Sequence, residues 1–281
     1  MTDYQHLLYE QRGPVTIITI NRPDRMNAIG PQTHRELIDA WDRFRCDDDA
    51  FVAVLTGAGN RAFCAGGDLK AAFAGELVDS SPAEIAAHDR GERAGVLGPS
   101  RWTDVYKPTI AAVNGVAYAG GLEWACWTDL AIADEHATFG VTCRRWNIGL
   151  ADGGTQRLTR ILGYRRAIDL IITGRVIDAR EAERIGLVNE VTPSGTCVQR
   201  AVELAEAIAG LPQPALRSDL EAARSGFGRP LEEGLRIEAQ CFNRSVFTLE
   251  TYEGLRQFNE RDHPDRRAGG PPVTPGLART V

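Results

Sequence analysis

The chain has 281 residues, of which 43% are hydrophobic and 25% are charged, and its formal net charge is −6. This composition is typical of a globular protein with enough apolar side chains for a sizeable core, folded as one large domain or one domain with an appendage. The acidic balance argues against a surface built to coat nucleic acid, so no nucleic-acid partner is expected.

The N-terminal residues and the cysteines indicate the compartment. The first residues, MTDYQHLLYE, have neither the apolar stretch of a secretory signal nor the Arg-rich character of a transit peptide. No uninterrupted apolar run of roughly eighteen residues occurs, so a cytoplasmic protein without membrane association is expected. The six cysteines are scattered and form no CxxC pair. This pattern predicts reduced thiols and no metal site.

Predicted strands and helices alternate through the first part of the chain. The segment PVTIITI, residues 14–20, is rich in β-branched residues and predicts a strand. Apolar residues at three-to-four spacing predict an amphipathic helix over residues 31–45. Further strands are predicted at residues 51–55, 109–113 and 139–141, further helices at 69–73, 121–130, 154–162 and 165–172, and a polar stretch at 76–99. The alternation predicts a parallel or mixed α/β core.

The chain becomes almost wholly helical beyond residues 188–191. Helices are predicted at residues 196–209, 214–224, 231–243 and 247–259. Such a helical layer has to bury its apolar faces, for which an oligomer interface is a suitable place. The last residues, PDRRAGGPPVTPGLARTV, are rich in proline and glycine and predict a loosely ordered tail. The predicted organisation is therefore a core at residues 1–195, a helical region at 196–262 and a tail at 263–281.

Two glycine turns, AGGDL at residues 65–69 and AGGLE at residues 119–123, each stand between a strand and a helix. Backbone N–H groups in such turns are unpaired, and glycine allows a ligand oxygen to approach them closely. Two facing turns would direct two N–H donors at one oxygen, which is the geometry of an oxyanion hole. Either turn alone is better explained as a tight connection from strand to helix, and the pair together is more informative than either turn alone.

Glu123 lies in the first turn of the predicted helix among the apolar residues Leu122, Trp124 and Ala125. The helix dipole favours a carboxylate there, so a capping role accounts for its position without any chemistry. The apolar surroundings would raise the pKa of the carboxyl group, which suits a group that takes and returns protons.

Five motifs, in order and spacing, resemble the enoyl-CoA hydratase/isomerase (crotonase) family. They are NRP (21–23) with NA (27–28), AFCAGGDLK (62–70), AVNG (112–115) through GGLE (120–123), GGTQRL (153–158), and TG (173–174) with residues 182–188. The resemblance covers residues 15–191, with a weaker echo in EGLRQF (253–258). It implies an α/β fold, the crotonase-like spiral of ββα turns, with a C-terminal helical layer that assembles homotrimers or dimers of trimers.

The resemblance also implies a ligand and a set of site residues. The partner would be an acyl-CoA thioester, whose thioester oxygen is held by the N–H groups of Gly67 and Gly120 while an enolate forms. No metal or separate cofactor is implied, because coenzyme A enters as part of the substrate. The residues expected to bind the substrate are Arg25, Met26, Ala28, Ala65, Gly66, Asp68, Leu69 and Cys143. Arg25 is the candidate for a CoA phosphate but also fits a solvated loop arginine. Asp68 equally suits a helix cap.

Hydratases of this family use two glutamates, and only the first has a match. Glu123 matches that first glutamate, whereas the second position falls on Cys143. A thiol with a pKa of about 8.5 is a poor replacement for a carboxylate in proton transfer near neutral pH. Three alternatives stay open. Asp152 supplies the missing carboxylate, Asp152 only caps the helix starting at Gly153, or Cys143 is a nucleophile beside Arg144 and Arg145.

The sequence therefore predicts an enzyme of the lyase or isomerase class that acts on an enoyl-CoA by water addition or by a double-bond shift. Its predicted catalytic groups are Glu123, Gly67, Gly120 and Asp152. The alternative is a CoA-ester binding or scaffolding protein with weakened catalysis, which the loss of the second glutamate at Cys143 would explain.

Overall fold

The computed structural model describes residues 4–76, 81–92 and 94–261. The chain divides into two units, Met1–Glu206 and Ala207–Val281. The expected tail at residues 263–281 lies outside the described residues, as do residues 77–80 and 93 of the expected polar stretch. No helix of the described residues is both long enough and apolar enough to cross a membrane.

The first unit holds two sheets. Its strands are β1 (Leu7–Arg12), β2 (Val15–Ile20), β3 (Val52–Gly57), β4 (Ala62–Cys64), β5 (Thr109–Val113), β6 (Val116–Tyr118), β7 (Leu130–Asp134), β8 (Thr138–Gly140), β9 (Val176–Asp178) and β10 (Glu190–Thr192). The larger sheet has the order β1-β2-β3-β5-β7-β10, and the smaller sheet has the order β4-β6-β8-β9.

Most neighbouring strands are parallel. Among the strands of the described residues, only β1 with β2 and β8 with β9 pair antiparallel. The central strands β3 and β5 are buried at every residue, and their near-continuous apolar sequence follows from burial on both faces of a sheet. This mixed, largely parallel arrangement agrees with the predicted α/β core.

The smaller sheet positions both glycine turns. The short strands β4 and β6 are parallel neighbours, with Ala62 opposite Val116 and Cys64 opposite Ala117. Each glycine turn begins directly after one of these strands, so both turns emerge at the same edge of the sheet. The predicted proximity of the turns thus has a simple cause in strand pairing.

Helices surround these sheets. They are α1 (Pro31–Cys46), α2 (Leu69–Phe73), α3 (Pro82–Asp89), α4 (Gly120–Trp127), α5 (Gly154–Leu162), α6 (Tyr164–Thr173), α7 (Ala179–Ile185) and α8 (Cys197–Ala209), with 3-10 turns at Pro23–Arg25 and Thr142–Trp146. The bounds of α2 and α5 are as predicted. The helix predicted at residues 121–130 is shorter than expected, because Thr128 adopts extended backbone and Leu130 starts β7.

The second unit is helical. Its helices are α9 (Gln213–Gly226), α10 (Leu231–Val246) and α11 (Leu249–Arg261), close to the predicted ranges. Many large apolar side chains in these helices and in the turns between them are exposed in the single chain. These are Phe227, Leu231, Leu235, Phe242, Phe247, Leu249, Tyr252, Leu255 and Phe258.

Candidate active site

The two glycine turns are in direct backbone contact. Gly66 has a φ of +92°, and a Cβ atom added there would lie 2.8 Å from the Gly120 nitrogen and 3.0 Å from the Tyr118 oxygen. A Cβ atom on Gly121 would overlap the Cys64 carbonyl oxygen. Only glycine fits at these positions, so the paired glycines are a steric requirement of the approach between the turns.

Each turn presents an unengaged N–H group. Gly120 is the first residue of α4, where an N–H has no partner within its helix. The Ile29 N–H donates to Gly66 O, and the Asp68 N–H donates to Ile29 O. Gly67 lies between the two residues that form these bonds, and its own N–H takes part in neither of them. Within the described ranges neither Gly67 nor Gly120 donates a backbone hydrogen bond to protein. Two such donors can stabilise an oxygen that gains negative charge.

The residue before Gly120 has an unusual backbone. Ala119 has φ +50° and ψ −117°, a conformation that L-residues rarely adopt. Its N–H donates to Gly140 O at 2.9 Å, and its carbonyl accepts from the Glu123 N–H at 3.1 Å. Neighbouring contacts therefore hold a strained residue directly before the proposed donor, as is common at functional sites.

Glu123 is buried in the first turn of α4 with an exposed fraction of 2%. Its Oε1 accepts hydrogen bonds from the Asp152 N–H at 2.9 Å and the Gly154 N–H at 2.7 Å. Burial raises the pKa of Glu123 to about 7, the Asp152 carboxylate adds to this effect, and the two hydrogen bonds oppose it. A carboxyl group with this pKa is suited to both taking and returning a proton near neutral pH.

Asp152 is buried and bonded to a distant segment. Its Oδ1 accepts from the Val96 N–H at 2.8 Å, from the Leu97 N–H at 3.0 Å and from the Ser100 hydroxyl. The N-cap of α5 is Gly153, and no side chain caps that helix. The expectation that Asp152 caps α5 is therefore wrong, because its carboxylate is bonded to residues 96–100 instead.

Cys143 lies in the 3-10 turn Thr142–Trp146 and is buried. Burial raises the pKa of its thiol; the Arg144 charge opposes this effect, and the Glu123 charge adds to it. The thiol is therefore neutral near pH 7. An activated nucleophile needs a lowered pKa, so the surroundings of Cys143 do not favour the nucleophile alternative.

A surface cleft of about 570 Å³ gathers several of the predicted substrate-binding residues. It is lined by Asp24, Arg25, Met26, Ala28, Asp68, Leu69 and Lys70. A second cleft of about 470 Å³ shares Arg25, Asp68 and Lys70 with the first cleft. The segments before α1 and around the first glycine turn therefore line two clefts that share Arg25, Asp68 and Lys70.

Asp68 does cap a helix. Its Oδ1 accepts from the Lys70 N–H at 3.1 Å and the Ala71 N–H at 3.4 Å, at the start of α2. Its Oδ2 accepts from Arg22 at 3.0 Å. Burial alone would raise the pKa of Asp68, but the hydrogen bonds from Arg22 and Ala71 lower it overall.

Sequence reasoning did not assign a role to Arg22. The Arg22 guanidinium also donates to Ala28 O at 2.5 Å, so it joins the 3-10 segment to the first glycine turn. The NRP motif contained this residue, but nothing in the sequence shows that its partner is Asp68, which lies 46 residues away. The burial of the segment around Leu97 and Ser100 was also missed, since a polar stretch was expected at residues 76–99.

Comparison with known proteins places the chain in a family. The family model for enoyl-CoA hydratase/isomerase matches residues 10–267. An enoyl-CoA hydratase of Mycobacterium tuberculosis is 37% identical over 92% of this chain and 95% of that protein. The (E)-benzylidenesuccinyl-CoA hydratase of Thauera aromatica is 35% identical over 89% of this chain and 94% of its own length.

Solved structures show the same fold. The crystal structure of an enoyl-CoA hydratase from Bacillus anthracis matches with a TM-score of 0.80 at 33% identity, covering 92% of this chain and 97% of that chain. An enoyl-CoA hydratase from Geobacillus kaustophilus matches with a TM-score of 0.82 over the same shares of the two chains. The chain therefore belongs to the enoyl-CoA hydratase/isomerase family and has its crotonase-like α/β fold.

Proposed function

We propose that the protein catalyses the reversible addition of water to the double bond of a 2-enoyl-CoA thioester, with Glu123 as the proton carrier. The observation that carries this proposal is the buried Glu123 carboxyl group, whose pKa is about 7, one helical turn from the unengaged Gly120 N–H. Several relatives are named as hydratases, which supports water addition as the reaction.

In the proposed reaction the thioester oxygen accepts hydrogen bonds from the Gly67 and Gly120 N–H groups. The ionised Glu123 takes a proton from water while the water oxygen bonds to C3, and the double-bond electrons move toward the thioester oxygen. The enolate that results is stabilised by the two N–H groups. Protonated Glu123 then gives its proton to C2, so one water molecule has been added and the carboxylate is restored.

The coenzyme A portion is proposed to bind at the two clefts. Arg25, Met26 and Ala28 would line one side, and residues 65–69 the other, with Arg25 bonded to a CoA phosphate. Arginine suits this role because its planar guanidinium can form paired hydrogen bonds to phosphate oxygens. Coenzyme A then arrives and leaves as part of the substrate, and no further cofactor takes part.

A second candidate function is double-bond isomerisation, which is favoured by the neutral thiol at Cys143. With Glu123 as a single proton carrier, the site can still move a double bond. Glu123 would take a proton from C2 of a 3-enoyl-CoA and return it to C4, giving the conjugated 2-enoyl-CoA. This transfer needs no second acid, whereas hydratases of the family use two glutamates.

The test compares wild type with Glu123→Gln on crotonyl-CoA and on 3-hexenoyl-CoA. Hydration removes the absorbance of the conjugated thioester, and isomerisation creates it. Wild type is expected to hydrate crotonyl-CoA, and Glu123→Gln should lower turnover by about 10² or more while CoA-ester binding persists.

Glu36→Gln is the matched control. Glu36 is a buried carboxylate of α1 that accepts the N–H groups of Gln5 and His6, so it is held like Glu123 but by other residues. Turnover of crotonyl-CoA should be retained in this control. Activity on 3-hexenoyl-CoA alone would assign isomerisation. Binding without turnover of either substrate would indicate the binding or scaffolding alternative.

We also propose that the chain assembles as a homotrimer or a dimer of trimers. The exposed apolar side chains of α9–α11, such as Leu249 and Phe258, support this proposal because they would be shielded from water in an oligomer. Light scattering should give three or six times the chain mass of 30.7 kDa. A monomer at micromolar concentration would contradict it.

A further inference from the structure

The segment of residues 95–102 is an irregular loop that is nevertheless buried. Leu97 is 5% exposed and Ser100 is fully buried. No strand of the described part of the chain pairs with this segment, so its backbone groups need partners elsewhere. The Arg101 and Trp102 N–H groups donate to the nearby carbonyls of Ala94 and Pro99. The other partners described below are side chains from distant parts of the sequence.

Asp152 provides the central anchor of the segment. A single oxygen, Oδ1, accepts the N–H groups of Val96 and Leu97 and the hydroxyl of Ser100. The loop wraps so closely around this carboxylate that a Cβ atom on Gly95 would lie 2.7 Å from Asp152 Oδ1 and 2.8 Å from Gly98 O. The loop is therefore shaped around the Asp152 side chain.

Three further hydrogen bonds hold the same segment. The Gly98 N–H donates to His34 Nδ1 at 2.8 Å. The indole N–H groups of Trp124 and Trp127, both in α4, donate to Leu97 O at 2.9 Å and to Trp102 O at 3.1 Å. Two of these anchors belong to the helix that carries Glu123, so the loop is attached directly to the site.

The attachment brings Leu97 against the second glycine turn. The Leu97 Cδ1 atom occupies the space that a Cβ atom on Gly120 would need. A thioester oxygen held by the Gly120 N–H would therefore place its acyl carbons beside Leu97. At the same time the backbone N–H of Asp152 donates to Glu123 Oε1 at 2.9 Å.

We propose that Asp152 is a positioning residue, whose carboxylate fixes Leu97 as the wall of the acyl pocket and whose N–H fixes Glu123, and that it does not carry protons. The role of Leu97 as a pocket wall rests on the proposed function. The hydrogen bonds from residues 96–100 to Asp152 can be tested whether or not the proposed function is correct.

Three variants separate an anchor from a proton carrier. Asp152→Asn keeps an acceptor oxygen but cannot exchange protons as a carboxylate does. Asp152→Ala removes the acceptor, and Ser100→Ala removes only one donor, so it remains informative if Asp152→Ala does not fold. Amide hydrogen exchange of the peptide containing Val96 and Leu97 reports the anchor directly, because both N–H groups donate to Asp152.

The three variants should differ in amide exchange and in turnover. Asp152→Asn should keep slow exchange at residues 96–97 and crotonyl-CoA turnover within about tenfold of wild type, the loss staying below that expected for a general acid or base. Asp152→Ala should speed this exchange by at least about tenfold, since the protected N–H groups lose their acceptor, and should lower kcat. Ser100→Ala should also speed the exchange and lower kcat, but by less than Asp152→Ala does.

The pH profile adds a readout that a purely structural role would not move. The Asp152 charge raises the pKa of Glu123, so Asp152→Asn should move the acid limb of the profile to lower pH, and Ser100→Ala should leave it in place. Loss of turnover in Asp152→Asn as complete as in Glu123→Gln would overturn the proposal and assign proton transfer to Asp152. Unchanged exchange at residues 96–97 in Asp152→Ala would overturn the anchor even if the wild type shows no hydratase activity.

Discussion

Replacing Glu123 by glutamine is expected to stabilise the fold at pH 8 and to change its stability little at pH 5. Burial, together with the Asp152 charge, raises the pKa of Glu123 from 4.5 to about 7. The folded state therefore binds this proton more tightly than the unfolded state, and wild-type stability falls as the pH rises from 4.5 to 7. Glutamine is neutral at every pH and keeps an oxygen for the N–H groups of Asp152 and Gly154.

The magnitude follows from the two pKa values. The difference between 4.5 and about 7 corresponds to about 3 kcal/mol, since one pKa unit is worth about 1.4 kcal/mol. At pH 8, where wild-type Glu123 is ionised, Glu123→Gln should therefore exceed wild type in free energy of unfolding by this full amount. At pH 5 the folded wild type is protonated, and less than about 1 kcal/mol remains. For a unit the size of Met1–Glu206, about 3 kcal/mol corresponds to a rise in Tm of about 7 °C.

Thermal and urea unfolding of wild type, Glu123→Gln and Glu36→Gln at both pH values provide the measurement. Glu36→Gln weakens the bonds that a buried carboxylate accepts from the Gln5 and His6 N–H groups, so it should be destabilised at pH 5 and at pH 8. A Glu123→Gln protein that is no more stable than wild type at pH 8 would refute the reasoning. An equal gain at both pH values would refute it as well, because the gain would then not come from the carboxylate charge.

Three further outcomes are expected. Because Glu123 must be ionised to take a proton from water, kcat/KM for hydration should fall as the pH drops below about 7, and a flat profile between pH 5 and 8 would contradict this. Cys143→Ser should keep kcat within about threefold of wild type, because the thiol is neutral, and iodoacetamide should not inactivate the enzyme at pH 7. Ala119→Gly should raise the free energy of unfolding by about 1 kcal/mol in urea titration, since glycine adopts the φ of +50° without strain; a loss of stability would show that Ala119 is unstrained.

The regular elements with strong local signals could be predicted from the sequence. The helix at residues 154–162 and the strand at residues 109–113 have the predicted bounds, because an apolar periodicity or a β-branched run is a local property. The three-residue strands β4, β6 and β9 were missed, since so short a run shows no alternation. Their pairing is set by contacts between distant residues.

The candidate site was likewise predictable where the signal is local, and not where it depends on contacts between distant residues. The two glycine turns and Glu123 were predicted to form the site, and the structure places both turns at the same end of the paired strands β4 and β6. The partners of Asp152 were not predicted, because an aspartate before a helix carries the same sequence signal whether its carboxylate caps the helix or turns away. The burial of residues 95–100 was missed for a related reason, since their acceptors and donors lie at residues 34, 124 and 152.

The parallel strands β4 and β6 bring main-chain groups of the two glycine turns together, and this affects how the protein tolerates mutation there. The proposed donors at Gly67 and Gly120 are main-chain groups, and every amino acid except proline has the same N–H. Substitution at Gly120 would therefore leave the N–H in place and act through the space that a side chain needs, which Leu97 already occupies. If the proposed function holds, a mutational scan should find that the size of the residue matters at Gly120, whereas the carboxyl group itself matters at Glu123.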